Sequence, residues 1–222
     1  MAYRAGETMR LEDVDKLGIH PNAILDIGAH SGQFHSWAKR VWGDAGVFMI
    51  EANPLHEGVL RNIASANGDN YLIAAMGDEE RDVTFYTRSD KPHTEGNSYY
   101  KENNYWDIPQ LVQESKVTLQ KLDNLFEDDA VFDIIKVDTQ GSEIDILKGG
   151  KDLVSRAQAV ILEVSFIPYN EGAPTDQETI DYMNEIGFEE RMSVGEHYDG
   201  DTIVQKDLIF TNKELVRWRE SF

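Results

Sequence analysis

The 222-residue chain predicts an α/β fold, with a mostly parallel sheet and helices on both of its faces. Three observations carry this. Short, wholly apolar runs recur that fit strands buried on both sides. They alternate with segments whose apolar residues fall three and four apart, the spacing of a helix with one buried side. The last two strand-like runs follow one another without a crossover helix, which predicts an antiparallel pair at the end of the sheet.

Ala23-Ile-Leu-Asp-Ile27 is the first run, ending in the turn Gly28-Ala-His-Ser-Gly32. A helix with Phe34, Trp37, Ala38, Val41 and Trp42 inward follows. Gly46 to Ile50 is the second strand, ended by Glu51, and Pro54 opens a helix carrying Leu55, Val59 and Ile63. Tyr71 to Ala75 and Val83 to Tyr86 read as a third and a shorter fourth strand. Periodicity then fails between residues 89 and 116, where Pro, Gly and Asn mingle with Tyr99, Tyr100, Tyr105 and Trp106. Loops of that length in a domain are functional lids or floppy insertions, and the aromatics favour a lid.

Strand pattern resumes at Val117 to Leu119, then at Phe132 to Val137 ending in Asp138, with a short helix near Leu122 to Phe126 between them. A helix from Glu143 is expected to stop at Gly149-Gly150. Val160 to Val164 is a further strand, Thr175 to Ile186 a helix, and Phe188 to Val194 and Leu208 to Thr211 are the closing pair, joined by a polar stretch. Residues 1–20 read as an N-terminal extension to one domain spanning 21–222.

The 41 acidic against 21 basic residues leave a formal charge of -20, which repels phosphate backbones and anionic lipid and argues against nucleic acid as a partner. With no cysteine, disulfides, thiolate metal sites and cysteine nucleophiles are excluded. Neither a signal peptide nor a run of about 18 apolar residues is visible, so a cytoplasmic protein without a membrane span is expected.

In a doubly wound sheet, ligands lie beyond the carboxyl ends of the strands. Asp26, Gly28, His30, Ser31 and Gly32 stand at the first such end. Glu51 closes the next strand, where a carboxylate suits ribose hydroxyls. His30 and Gln33 occupy positions where a dinucleotide fingerprint requires glycine, and the turn lacks the lysine of a P-loop. Its acidic neighbour suits a cationic ligand, and S-adenosylmethionine, with ribose, ammonium and sulfonium but no phosphate, fits.

Ile24 to Phe34, Ile50-Glu-Ala-Asn-Pro54, Ala75-Met-Gly-Asp78, Val117 to Asp123 and above all Ile135-Lys-Val-Asp-Thr-Gln-Gly-Ser-Glu-Ile-Asp-Ile-Leu-Lys-Gly149 resemble, in the same order, the FkbM family of S-adenosylmethionine-dependent methyltransferases. The resemblance implies the Rossmann-like class I methyltransferase fold, a seven-stranded mostly parallel sheet with its last strand antiparallel. It also implies O-methylation of a glycan, sugar or small-metabolite hydroxyl. On the matching positions, Asp26, Gly28, His30, Ser31 and Gly32 would line the methionine side, Glu51 would hold ribose, and Ala52, Met76, Gly77 and Asp78 would flank adenine.

Asp138, at a strand end beside the expected methyl group, is the first candidate base, with His30 second and Glu163 third. Asp138 equally suits binding the cofactor ammonium or capping the next helix. Asp138 with Glu163 or His30 also leaves a divalent cation open. His93, Tyr99, Tyr100 and Trp106 of the long loop, with Phe166 and Tyr169, are candidates for the acceptor pocket. A module that binds the cofactor without transferring its methyl group, or an enzyme on another acceptor class, are the competing readings.

Overall fold

The computed structural model describes residues 10–93, 96–103, 108–167 and 169–215. Helix α1 (Leu11–Asp15) precedes β1 (Ala23–Ile27), α2 (Gln33–Val41), β2 (Gly46–Glu51), α3 (Glu57–Asn67) and β3 (Asn70–Ile73). Strands β4 (Ala75–Met76), β5 (Asp82–Arg88) and β6 (Val112–Gln120) come next, followed by β7 (Ile134–Val137), α4 (Glu143–Gly149) and α5 (Lys151–Ser155). The chain continues through β8 (Ala159–Ser165), α6 (Asp176–Glu185), β9 (Phe188–Asp199) and β10 (Thr202–Asn212).

Among the described residues, seven strands form one sheet in the order β3-β2-β1-β7-β8-β10-β9. The pairs from β3 to β8 are parallel, and β10 runs antiparallel to both β8 and β9. The expected α/β fold with a reversed final strand is present. Each face has its own core. Ile24, Ile134, Ile161 and Ile209 pack with Leu11, Val14, Phe34, Ala38 and Leu60, so α1 shares the core of α2 and α3. Leu25, Ile135, Leu162 and Phe210 pack on the other face with Ile146, Leu147, Leu153 and Met183. The start of α6 is fixed by a capping box between Thr175 and Glu178.

Several local expectations are corrected. The run Tyr71 to Ala75 is two strands: β3 ends at Ile73, and β4 joins β5 and β6 in a separate three-stranded sheet. Strand β6 begins at Val112, inside the stretch read as loop, because its first half is exposed on both faces and carries no apolar alternation. The helix from Pro54 is a 3-10 turn running into α3, whose buried residues are Leu60 and Ala64, while Leu55 and Val59 stay exposed.

The Gly149-Gly150 pair does not end the helical segment but breaks it into α4 and α5. A Cβ at Gly149 would meet Gly77 O at 1.9 Å, so the pair lets the helix seat against the end of β4. The polar stretch between the last strands is itself strand. β9 and β10 meet at Gly200-Asp201, with register shifts that carry the ladder through the charged residues.

Candidate active site at the carboxyl ends of the central strands

The strand order reverses at β1, with β2 on one side and β7 on the other. A cavity of about 700 Å³ opens there, beyond the carboxyl ends of β1, β2, β7 and β8. Gly28, His30, Glu51, Ala52, Met76, Asp138, Tyr99 and Tyr169, all singled out from the sequence, line it together.

The β1–α2 turn is built around Glu51. The amides of Gly28 and Ala29 donate to Ile50 O at 2.9 and 3.0 Å. Those of His30 and Asn53 donate to the two carboxylate oxygens of Glu51 at 2.8 and 2.7 Å. Gly28 has φ 82°, and a Cβ there would meet Asp138 O at 1.8 Å, so only glycine lets the turn lie against the end of β7. Burial pushes the Glu51 carboxyl up, against the pull of these amides.

His30 also has positive φ, 48°. Its Nε2 lies 2.8 Å from His93 O and its Nδ1 3.1 Å from Ser31 Oγ. A carbonyl only accepts, so Nε2 donates to His93 O. The His30 ring packs against that of His56, a residue the sequence reading missed, with centroids 4.1 Å apart and planes tilted by 48°. Burial lowers the His56 imidazole to about 4, and its Nε2 has no hydrogen-bond partner.

Asp26 does not reach the cavity. It is fully buried on β1 opposite Lys136 of β7, and neither carboxylate oxygen accepts a hydrogen bond. Lys136, also missed, is a buried ammonium inside the apolar β7. Its Nζ donates to Asp138 Oδ2 at 3.0 Å and lies 3.9 Å from Asp26 Oδ1. Burial opposes its charge, but Asp138, Asp26 and Asp207 together hold its pKa above the ordinary lysine value. Asp138 is correspondingly pulled down by Lys136, against its own burial.

Burial raises Asp26 from 3.8 to about 6. The folded state therefore keeps a proton there that the unfolded chain has released, so this contribution to stability is present at low pH and lost as pH rises through about 6. Linkage makes it ~3 kcal/mol across that window. Asp26→Asn should flatten that part of the pH dependence, measured by denaturant unfolding between pH 4 and 7.

The remaining candidates are dispersed. Ser31, Gly32, Gly77 and Asp78 do not line the cavity. Gly32, with φ 81°, caps α2 against Ile63, and Gly77 abuts Leu119. Tyr99 and Tyr100 both donate to Asp145 Oδ2, at 3.2 and 2.8 Å, so only Tyr99 of the two faces the cavity. His93 offers its carbonyl to His30 and its ring to His56. Phe166 is exposed beneath Lys206, away from the cavity. Trp106 lies outside the described residues.

The wall formed by β8 to β10 and the β7–α4 turn is polar: Gln140, Glu163, His197, Gln205 and Asp207. Among the described residues, no group of three or more His, Cys, Asp or Glu side chains is arranged to hold a metal ion. Also among them, no helix is long and apolar enough to cross a membrane.

A seven-stranded sheet with a reversed final strand and a cavity at its switch point is the class I methyltransferase fold. Solved structures share it. A S-adenosylmethionine-dependent methyltransferase from Clostridium acetobutylicum has a TM-score of 0.54 at 9% identity, over 90% of this chain and 88% of that one. Magnesium protoporphyrin IX methyltransferase from Synechocystis, with bound S-adenosylhomocysteine, has a TM-score of 0.52 at 11% identity, over 91% and 78%. Its S-adenosylmethionine complex gives 0.50 at 12% identity, over 90% and 74%.

A search of curated proteins finds no match. Residues 26–190 match the family model described as the methyltransferase FkbM domain, and the chain belongs to that family. It is an S-adenosylmethionine-dependent methyltransferase.

Proposed function

We propose that the chain methylates oxygen, on a hydroxyl of a sugar, glycan or other small hydroxylated metabolite. The observation that carries this reading is the division of the cavity into two chemically distinct halves. One half, around Ile50, Ala52, Ala75 and Met76 with Glu51 at its edge, is apolar with a single carboxylate. It suits an adenine face and a ribose diol. Glu51 spends one site of each oxygen on backbone amides and keeps further lone pairs for hydroxyls. The rest carries carboxylates and carboxamides, Asp138, Glu163, Asp207, Gln140 and Gln205, which suit the hydroxyls of an acceptor, with the cations Lys136, Arg88 and Lys91 also in the lining.

When bound, S-adenosylmethionine supplies a methyl group already activated by positive sulfur. The protein's part is then to align an acceptor oxygen and to remove its proton. The Gly28 turn would hold the methionine end, and Tyr99 and Tyr169 would wall the acceptor side.

The test is incubation of fractionated cell metabolites with enzyme and methyl-labelled cofactor. Label in neutral hydroxylated products is the expected result. Label confined to nitrogen or carbon would overturn O-methylation. Binding of S-adenosylhomocysteine with no labelled product would favour a module without transfer.

A further inference from the structure

The polar wall of the acceptor half follows from strand register. Asp207 of β10 pairs with Glu163 of β8, Gln205 pairs with Ser165, and Asp138 lies one residue beyond the last β7–β8 pair, Val137 with Leu162. Three carboxylates thus stand side by side on one face of the sheet, and one buried ammonium, Lys136, lies among them. That ammonium is committed to Asp138 at 3.0 Å. Among the described residues Glu163 has no ion pair and is instead held by two carboxamides, Gln140 Nε2 and Gln205 Nε2, both donating to Oε2. Among the described residues, none donates to Oε1. Gln140 reaches it from a left-handed backbone conformation, φ 56°, rare for a residue with a side chain and common where a site is being shaped.

Resting on the reading of the enzyme as an O-methyltransferase, we propose that Glu163 is the general base, its Oε1 taking the proton of the acceptor hydroxyl while Gln140 and Gln205 position the carboxylate. The acceptor O–H bond breaks toward Glu163 as the new O–CH3 bond forms. The electron pair of the broken C–S bond stays on sulfur, and the glutamic acid later returns its proton to solvent. Asp138 keeps its charge and orients rather than accepts. Burial, with Asp138 from the end of β7, Asp207 from β10 and Glu143 from α4, raises the Glu163 carboxyl well above the ordinary range, and Lys136 opposes this weakly. That makes it a stronger base than Asp138, which Lys136 pulls down. His197 of β9 faces the same group through Asp207, at 3.7 Å.

The experiment compares wild type with Glu163→Gln, which keeps size and hydrogen bonding but cannot take a proton. Methyl transfer from labelled cofactor to the neutral, hydroxylated low-molecular-weight fraction of a cell extract should fall ~100- to 10,000-fold, the usual contribution of a general base. Affinity for S-adenosylhomocysteine should stay within about threefold by calorimetry, as for a residue outside the cofactor half. The acidic limb of the wild-type pH–rate profile should vanish. Independently, in glutamate labelled with carbon-13 at the side-chain carboxyl and bound to S-adenosylhomocysteine, the signal lost in Glu163→Gln should titrate well above 4.5.

A variant with undiminished transfer, an equal loss of cofactor affinity, or a Glu163 signal titrating as an ordinary carboxylate would each overturn the assignment. If wild type transfers no label, the O-methyltransferase reading falls, while the titration still judges Glu163.

Discussion

Glu51→Ala should weaken binding of S-adenosylmethionine and S-adenosylhomocysteine by ~150- to 20,000-fold in calorimetry, because the carboxylate proposed to accept from the two ribose hydroxyls is lost, and two charged-acceptor hydrogen bonds are worth ~1.5–3 kcal/mol each. The alanine leaves the His30 and Asn53 amides without their acceptors, so the variant should also unfold at lower denaturant. Glu51→Gln, which keeps one acceptor oxygen but presents an NH2 group where an amide points, should fall between. A Glu51→Ala protein that loses stability but binds the cofactor normally would reduce Glu51 to a scaffold for the turn.

Lys136→Met should destabilise the fold by ~3–5 kcal/mol at neutral pH, the usual consequence of removing one partner from a buried ion pair. Asp26 would be left fully buried with no cation near it, and Asp138 would lose its 3.0 Å partner. The sign of the pH response follows. Without the ammonium, the folded-state pKa of Asp26 rises beyond about 6, so acidification toward pH 5 protonates it and restores part of the stability. Adding Asp26→Asn to Lys136→Met should recover part of the loss at neutral pH, a coupling that denaturant unfolding of the double-mutant cycle reads directly. Equal losses at pH 5 and pH 7 would show that packing of the lysine stem, not charge, sets the effect.

What the sequence made legible was whatever lies at the end of an apolar run. Ile27, Glu51 and Asp138 mark strand ends because each apolar stretch stops there, and the same reading located the Gly28 turn and the cavity above it. Lys136 was hidden by the same logic. A charged residue in Ile-Ile-Lys-Val reads as part of a buried strand, although its presence there was itself a signal that counter-ions had to exist nearby. Asp26 was placed in the cofactor site on its position beside the turn. Strand alternation turns it instead to the inner face, opposite Lys136.

Gln205, Asp207 and His197 were lost in a stretch taken for a connecting segment. The ladder there passes through bulges, and its polar residues line a cavity rather than water. The exposed half of β6 was missed because a strand with neither face buried has no period to read.

The three-stranded sheet of β4, β5 and β6 has one more consequence. The segment leaves from the end of β5 and returns at the start of β6, and among the described residues its ties to the body include Glu102 to Asn170, Asn103 to Tyr169, Lys101 to Glu171, Tyr99 and Tyr100 to Asp145, and Pro92 to Asn53. It hangs from a sheet outside the seven-stranded ladder, although Met76 of β4 packs into the core on one face of that ladder. A transplanted segment is therefore expected to shift stability together with any change in acceptor choice, because the contacts to Asp145, Tyr169 and Asn170 go with it.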